Sequence, residues 1–424
     1  DLPSMSDQEQ LQYLRSLRAV RERSSAIYNW VKEGKSSHFE IHEENITQVA
    51  EFVNSLLKRD YPSIPAIPGH SRWRHFEAGG HDRVSPMVSE WKKTAGVDEK
   101  EIARRLVDLA ITSVLLDAGA GSAWKYHEKS TDLSIGRSEG LGIASFYMFC
   151  AGLFSSDAAK IPGRADSVGL KNADMAKMRE MFQVTNANPM VGLEGRCELL
   201  QKLGKALEAK PEYFTTPDGL IRPGGIVDYV WKSANPAGEV SLLAVWECVI
   251  VGLSTIWPND ADRVRLCDEP IGDCWPHPAL PTEGVAGCNW VPFHKLSQWL
   301  TYSLLEPLQK EGGLKLKDVD VMTGLPEYRN GGLLVDMGVL SLKNPEDLTV
   351  AHLPSSVLVV EWRALTIVLV DQVAAALRGI LGDDSIPLAK ILEAGTWKAG
   401  REVAKSKRPD MSPPIQIQSD GTVF

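Results

Sequence analysis

The sequence predicts a mostly α, multi-helix globular fold with few short strands. Three observations carry that expectation. Apolar residues recur at helical spacing over long stretches, first between Met5 and Arg23, again from Ile46 to Leu57, and most strongly from Asp98 to Leu116. Proline and glycine fall mainly between such stretches, as in Tyr61-Pro62-Ser63-Ile64-Pro65-Ala66-Ile67-Pro68, where they stop a helix. The composition, 43% hydrophobic and 24% charged over 424 residues, is that of a globular chain able to bury a sizeable core. The expected organisation is a single unit over 1–424, divisible into two helical lobes, about 1–260 and 261–424, with a site between them.

In chain order, the first two amphipathic helices are joined by a polar connection, Ser36 to Glu44. After the proline-rich link comes Ser71-Arg72-Trp73-Arg74-His75-Phe76-Glu77, a loop-like segment suited either to the surface or to anion binding and stacking. The helix ending at Leu116 runs into Asp117-Ala118-Gly119-Ala120-Gly121, whose small residues allow a close backbone approach. Its Gly-x-Gly follows a helix and lacks a third glycine, so it is no dinucleotide fingerprint. Ser138 reads as the N-cap of an apolar helix from Gly142 to Phe154, with Arg137 beside it. Ser241 to Ile256 is apolar enough to require burial, and residues 265 to 290 form an ordered loop rich in Pro, Gly, Trp and Cys. A helix from Phe293 to Leu308 carries His294 and Lys295 in its first turn, where cations are disfavoured unless an anion lies nearby.

Leu325 to Leu340 stands out. It opens Leu325-Pro326-Glu327-Tyr328-Arg329-Asn330-Gly331-Gly332, with carboxylates Glu327 and Asp336 and a glycine pair that a core helix would avoid. It reads either as part of a ligand site or as a helix start whose Glu complements the dipole and pairs with Arg329. In Val357 to Leu377, Glu361 and Arg363 interrupt an apolar run, which is costly unless they are paired or liganded. A polar, proline-containing tail, Lys405 to Phe424, closes the chain.

The formal net charge of −9 argues against a general nucleic-acid or anionic-membrane surface and leaves a small anionic substrate open. Six scattered cysteines form neither a disulfide framework nor a Cys-x-x-Cys zinc pattern, so no metal and no cofactor are expected. No targeting signal opens the chain and no apolar run reads as a membrane span, from which a cytoplasmic location is expected. A homo-oligomer stays open.

Phe293-His294-Lys295-Leu296-Ser297-Gln298-Trp299-Leu300, the Leu325 to Gly332 stretch and Ser419-Asp420-Gly421-Thr422-Val423-Phe424 resemble a fungal and bacterial family of unknown-function domains. That family is linked to the uracil-catabolism (Urc) pathway, in which the pyrimidine is degraded through a ribosylated urea. A weaker similarity links Arg23-Ser24-Ser25-Ala26, Leu116-Asp117-Ala118, Phe293-His294-Lys295, Glu327-Tyr328-Arg329 and Glu361-Trp362-Arg363 to the queuosine-salvage nucleotide N-glycosylases. Those are all-helical, DNA-glycosylase-like proteins that carry Ala-Asp-Tyr-Arg where this chain has Pro326-Glu327-Tyr328-Arg329.

These resemblances imply a hydrolase that cleaves the N-glycosidic bond of a ribosylated urea or its 5-phosphate. Such cleavage needs a carboxylate beside an oxocarbenium-like centre and a donor for the departing nitrogen. Glu327 is the first candidate carboxylate, with Asp117 and Asp336 in reserve. Arg137, Lys295 and Arg363 could take a phosphate, and Trp124, Phe146 and Tyr328 could flank the ribose or the urea group. Arg329, Asn330, His75, His294 and Glu361 complete the candidate substrate contacts, Glu361 more as a brace for Arg363. Two alternatives are an amidohydrolase or deaminase acting on an opened pyrimidine ring, which usually calls for a metal, and a non-enzymatic binding or scaffold protein.

Overall fold

A computed structural model describes residues 5–117, 119–259 and 262–418, so Ala118 and the closing Ser419 to Phe424 motif lie outside the described residues. It is mostly α, with short strands in two-stranded pairs. The chain divides into two units, each discontinuous in sequence rather than following the contiguous 1–260 and 261–424 split. The first comprises residues 1–70, 258–298 and 320–424, and the second 71–257 and 299–319.

The first unit is built around the helix Val357–Leu381, whose residues Leu358 to Ile367 are buried without a break. The helices Leu17–Lys32, Ile46–Asp60 and Tyr328–Asp336 pack on it, and Trp397–Lys407 packs on Tyr328–Asp336. Two glycines set these approaches. A Cβ at Gly331 would come within 2.7 Å of the Trp362 ring, and one at Gly400 within 2.1 Å of the Arg329 carbonyl oxygen. The Gly331-Gly332 pair is thereby explained by packing: Trp362 donates its indole N–H to the Gly331 carbonyl (3.1 Å), and Gly332 faces Pro414.

By length and composition Val357–Leu381 could cross a membrane, which corrects the expectation that no run reaches a span. In sequence Glu361 and Arg363 break the run; in the fold the helix continues past them, and both side chains are buried with partners. The expected brace between these two is also corrected. Two residues apart on a helix, they point to different faces. Glu361 accepts from Ser36 and from His277 (3.1 Å), whereas Arg363 binds Asp273.

The 265–290 loop is ordered by antiparallel pairing of Cys274–Pro276 with Trp290–Pro292 and by the Arg265–Leu266/Glu269–Pro270 hairpin. Phe39–Ile41 pairs with Leu340–Leu342, and the tail returns as Gln416–Ile417 beside Ala351–His352.

The second unit packs Glu99–Leu115, Arg137–Cys150, Leu193–Ala209, Gly225–Ser233 and Leu243–Ile250 with the hairpin Lys125–Glu128/Leu133–Gly136. The Ser71 to Glu77 segment is not loop but a helical turn, Trp73–Phe76, with Arg72 and Trp73 buried. The Arg137–Cys150 helix is preceded by Gly136 without a side-chain cap, so Ser138 is not its N-cap. The Ser138 hydroxyl instead donates to Asp117 (3.3 Å). The apolar Ser241–Ile256 stretch is a shorter helix, Leu243–Ile250, followed by a turn; its core residues are buried although Leu243 is exposed.

Candidate active site

Within the first unit, Glu327 is the N-cap of Tyr328–Asp336. One carboxylate oxygen accepts the Arg329 amide (2.8 Å) and the other the Asn330 amide (2.6 Å). A cap is worth about 1 kcal/mol and is ordinarily supplied by a short Ser, Thr, Asp or Asn at the surface. Glu327 is only 8% exposed. Burial raises its pKa above the usual glutamate value, and the two amides, the Lys295 ammonium and His70 pull against that rise. The helix start therefore holds a carboxyl group of increased proton affinity, with the Lys295 ammonium nearby.

Its surroundings are tightly braced. The Asn330 side chain donates to the Leu325 carbonyl (2.9 Å) and accepts from Thr396 (2.8 Å). Arg363 donates Nε to the Pro326 carbonyl (3.0 Å), fixing the residue before Glu327, and both terminal nitrogens to Asp273 (2.7 and 2.8 Å). Trp275 and the Lys295 amide also donate to Asp273. Burial opposes ionisation of Asp273, but Arg363 overrides it and holds the carboxyl well below the ordinary aspartate range. Asp273 is also the anion that the start of the Lys295–Lys310 helix called for. His294, whose pKa burial lowers, donates Nε2–H to the Leu14 carbonyl (2.7 Å) and anchors the turn.

Sequence reasoning missed His70. Its Nδ1 donates to Glu393 at 2.6 Å, and the ring lies close enough to act electrostatically on Glu327. Glu393 and Thr396 belong to a π-helical turn, Leu392–Thr396, a distortion frequent at functional sites. Asp336 lies at the far end of the Glu327 helix, about 13 Å along the axis, where it takes a bidentate ion pair from Arg408 (3.0 and 2.5 Å). Tyr328 is partly exposed, with the Arg329 guanidinium 5.0 Å from its ring centre, and Arg329 also donates to the Met411 carbonyl (2.9 Å). Arg329 is buried and gives Glu327 its amide rather than a surface ion pair.

The remaining candidates lie in the second unit. Arg72, fully buried, donates to Asp117 (2.7 Å), His75 Nδ1 (2.8 Å) and Ser113 Oγ (2.7 Å). Asp117 is thus the partner of a buried arginine, and His75 is oriented by the same guanidinium. Trp124 is core: its N–H donates to the Phe182 carbonyl (2.9 Å) and its ring meets Phe182. Phe146 is buried between Phe76 and Tyr147. Arg137 is exposed, with a left-handed backbone at φ 57°. Among the described residues, no three His, Cys, Asp or Glu side chains are grouped to hold a metal ion.

A helical fold holding a buried carboxyl group at a braced helix start is the framework in which relatives can be read. The chain matches, over residues 13–424, the family described as Protein of unknown function (DUF1688), and it belongs to that family. Among its relatives is "Uracil catabolism protein 4" of Lachancea kluyveri, 40% identical over 97% of this chain and 98% of the relative. "Protein urg3" of Schizosaccharomyces pombe is 39% identical, again over 97% of this chain and 98% of the relative.

Proposed function

We propose that this protein acts in uracil catabolism as a hydrolase cleaving the N-glycosidic bond of a ribosylated urea, with or without a 5-phosphate. Full-length similarity to a relative named for uracil catabolism supports the pathway, and the similarity to nucleotide N-glycosylases supports the bond. The observation that carries the chemistry is the buried Glu327 at a helix N-terminus. Desolvating an ionised carboxylate costs several kcal/mol, more than a cap returns. A chain that needed only a cap would do better with serine. A carboxyl group held this way can take a proton from attacking water and stabilise positive charge at C1′. Lys295 is the nearby cation suited to an anionic substituent of the substrate.

Incubating the purified chain with ribosylurea and with its 5-phosphate, and assaying urea, tests the proposal. Urea release that is lost in Glu327→Gln, with the fold retained, is the expected outcome. Release of ammonia in place of urea would transfer the activity to the amidohydrolase class. Full activity in Glu327→Gln would move the catalytic role to Asp117.

A further inference from the structure

We propose that His70, held by Glu393, is the group that protonates the departing nitrogen at the Glu327 site; this rests on the glycosidase reading above. Both side chains are largely buried, His70 11% and Glu393 16% exposed, so each keeps a small opening to solvent. An ionised carboxylate only accepts, so the 2.6 Å contact keeps a hydrogen on Nδ1 and leaves Nε2 as the atom that carries or releases a proton. The ring is fixed further. It lies tilted against Trp397, with centroids 6.3 Å apart, and the His70 main-chain N–H donates to the Ala389 carbonyl (2.9 Å). Glu393 comes from the π-helical turn that also supplies Thr396 to Asn330, three residues from Glu327. One distorted turn thereby braces both the imidazole and the helix that Glu327 caps. Glu393 bonds His70, and His70 and Lys295 act electrostatically on Glu327, whose oxygens accept from the amides of Arg329 and Asn330.

The chemistry asks for such a donor. When the C1′–N bond breaks, its electron pair goes to a urea nitrogen, and a urea anion is too basic to leave unaided. In the proposed step His70 Nε2 gives that nitrogen a proton, and a water oxygen bonds to C1′ while its proton passes to Glu327. The products are urea and the pentose. The proton on Glu327 returns through solvent to His70, so the site regains its starting state.

The test compares the full chain with His70→Asn and Glu393→Gln on two substrates, ribosylurea and 4-nitrophenyl β-D-riboside, whose nitrophenolate departs without a proton. His70→Asn should lower kcat for urea release by about 10²–10⁴-fold while nitrophenolate release stays close to the wild-type rate. Glu393→Gln, as a positioning variant, should show the same pattern with a smaller loss. Retained cleavage of the activated substrate shows that the variants are folded. A pH series on ribosylurea reads the same role independently: the alkaline fall of kcat/KM in the wild type should be missing from His70→Asn. An unchanged rate of urea release, equal loss on both substrates, or an alkaline limb that persists in the variant overturns the assignment of His70 while leaving the glycosidase reading intact. A wild-type chain that releases neither urea nor nitrophenolate overturns that reading, and this one with it.

Discussion

Glu327 is a buried carboxyl group whose ionisation works against the fold. Its folded pKa is raised, so the native state binds its proton more tightly than the unfolded chain does. The sign follows: stability is lost as pH rises from the unfolded glutamate value, about 4.3, through the folded one. Glutamine in its place has no proton to lose. Relative to Glu327→Gln, the wild type should therefore lose stability as pH rises above about 4, as measured by urea denaturation at several pH values; a difference independent of pH would contradict a buried, perturbed carboxyl group. The Asp273–Arg363 pair behaves oppositely. Asp273→Ala leaves a buried guanidinium uncompensated and should cost about 3–5 kcal/mol. The double variant Asp273→Leu/Arg363→Met should recover much of that stability in denaturant melts, yet remain impaired in activity because the Pro326 carbonyl has lost its donor. Glu327 and Lys295 could be singled out in the sequence because each stands at the start of a helix whose pattern is local. His70 and Asp273 could not: their partners lie 323 and 90 residues away, and no short-range pattern records such a pairing.

The elements themselves were legible wherever an apolar stripe runs at helical spacing, as in Glu99–Leu115 and Ile46–Asp60. Their distortions were not. The π-helical turn at Leu392–Thr396 leaves no mark in residue type, and Ser138, a good cap by composition, turns its hydroxyl to Asp117. The glycine pair at 331–332 suggested a ligand, but its occupants are Trp362 and Pro414. Gly400 offers the sharpest check on this packing. An added methyl would press on the Arg329 carbonyl oxygen, a backbone atom with little freedom to move. Gly400→Ala should therefore lower stability by about 1–3 kcal/mol, read as a fall in Tm. An unchanged Tm would mean that the two helices are not held at this distance.

At the scale of the whole molecule, the division into units was the least legible feature, because each gathers segments far apart in sequence and a composition scan sees only neighbours. Each unit contains a buried carboxylate held low by arginine: Asp273 by Arg363 in one, and in the other Glu128, lowered to about 2 chiefly through its hydrogen bonds with Arg83. A depressed folded pKa means that the unfolded chain binds more protons in acid. The contribution is full above the unfolded values, about 4, and is lost as pH falls through the folded ones. Denaturation midpoints should thus decline from pH 4 downward, and a midpoint that holds to pH 2 would count against these pairs. In N-glycosidic cleavage water attacks C1′ and the C–N bond breaks. Turnover of ribosylurea in ¹⁸O-labelled water, quenched early by reduction of the pentose, measures this directly: ¹⁸O should appear at pentose C1 with the urea unlabelled, whereas label in the carbonyl product with none at C1 would contradict N-glycosidic cleavage.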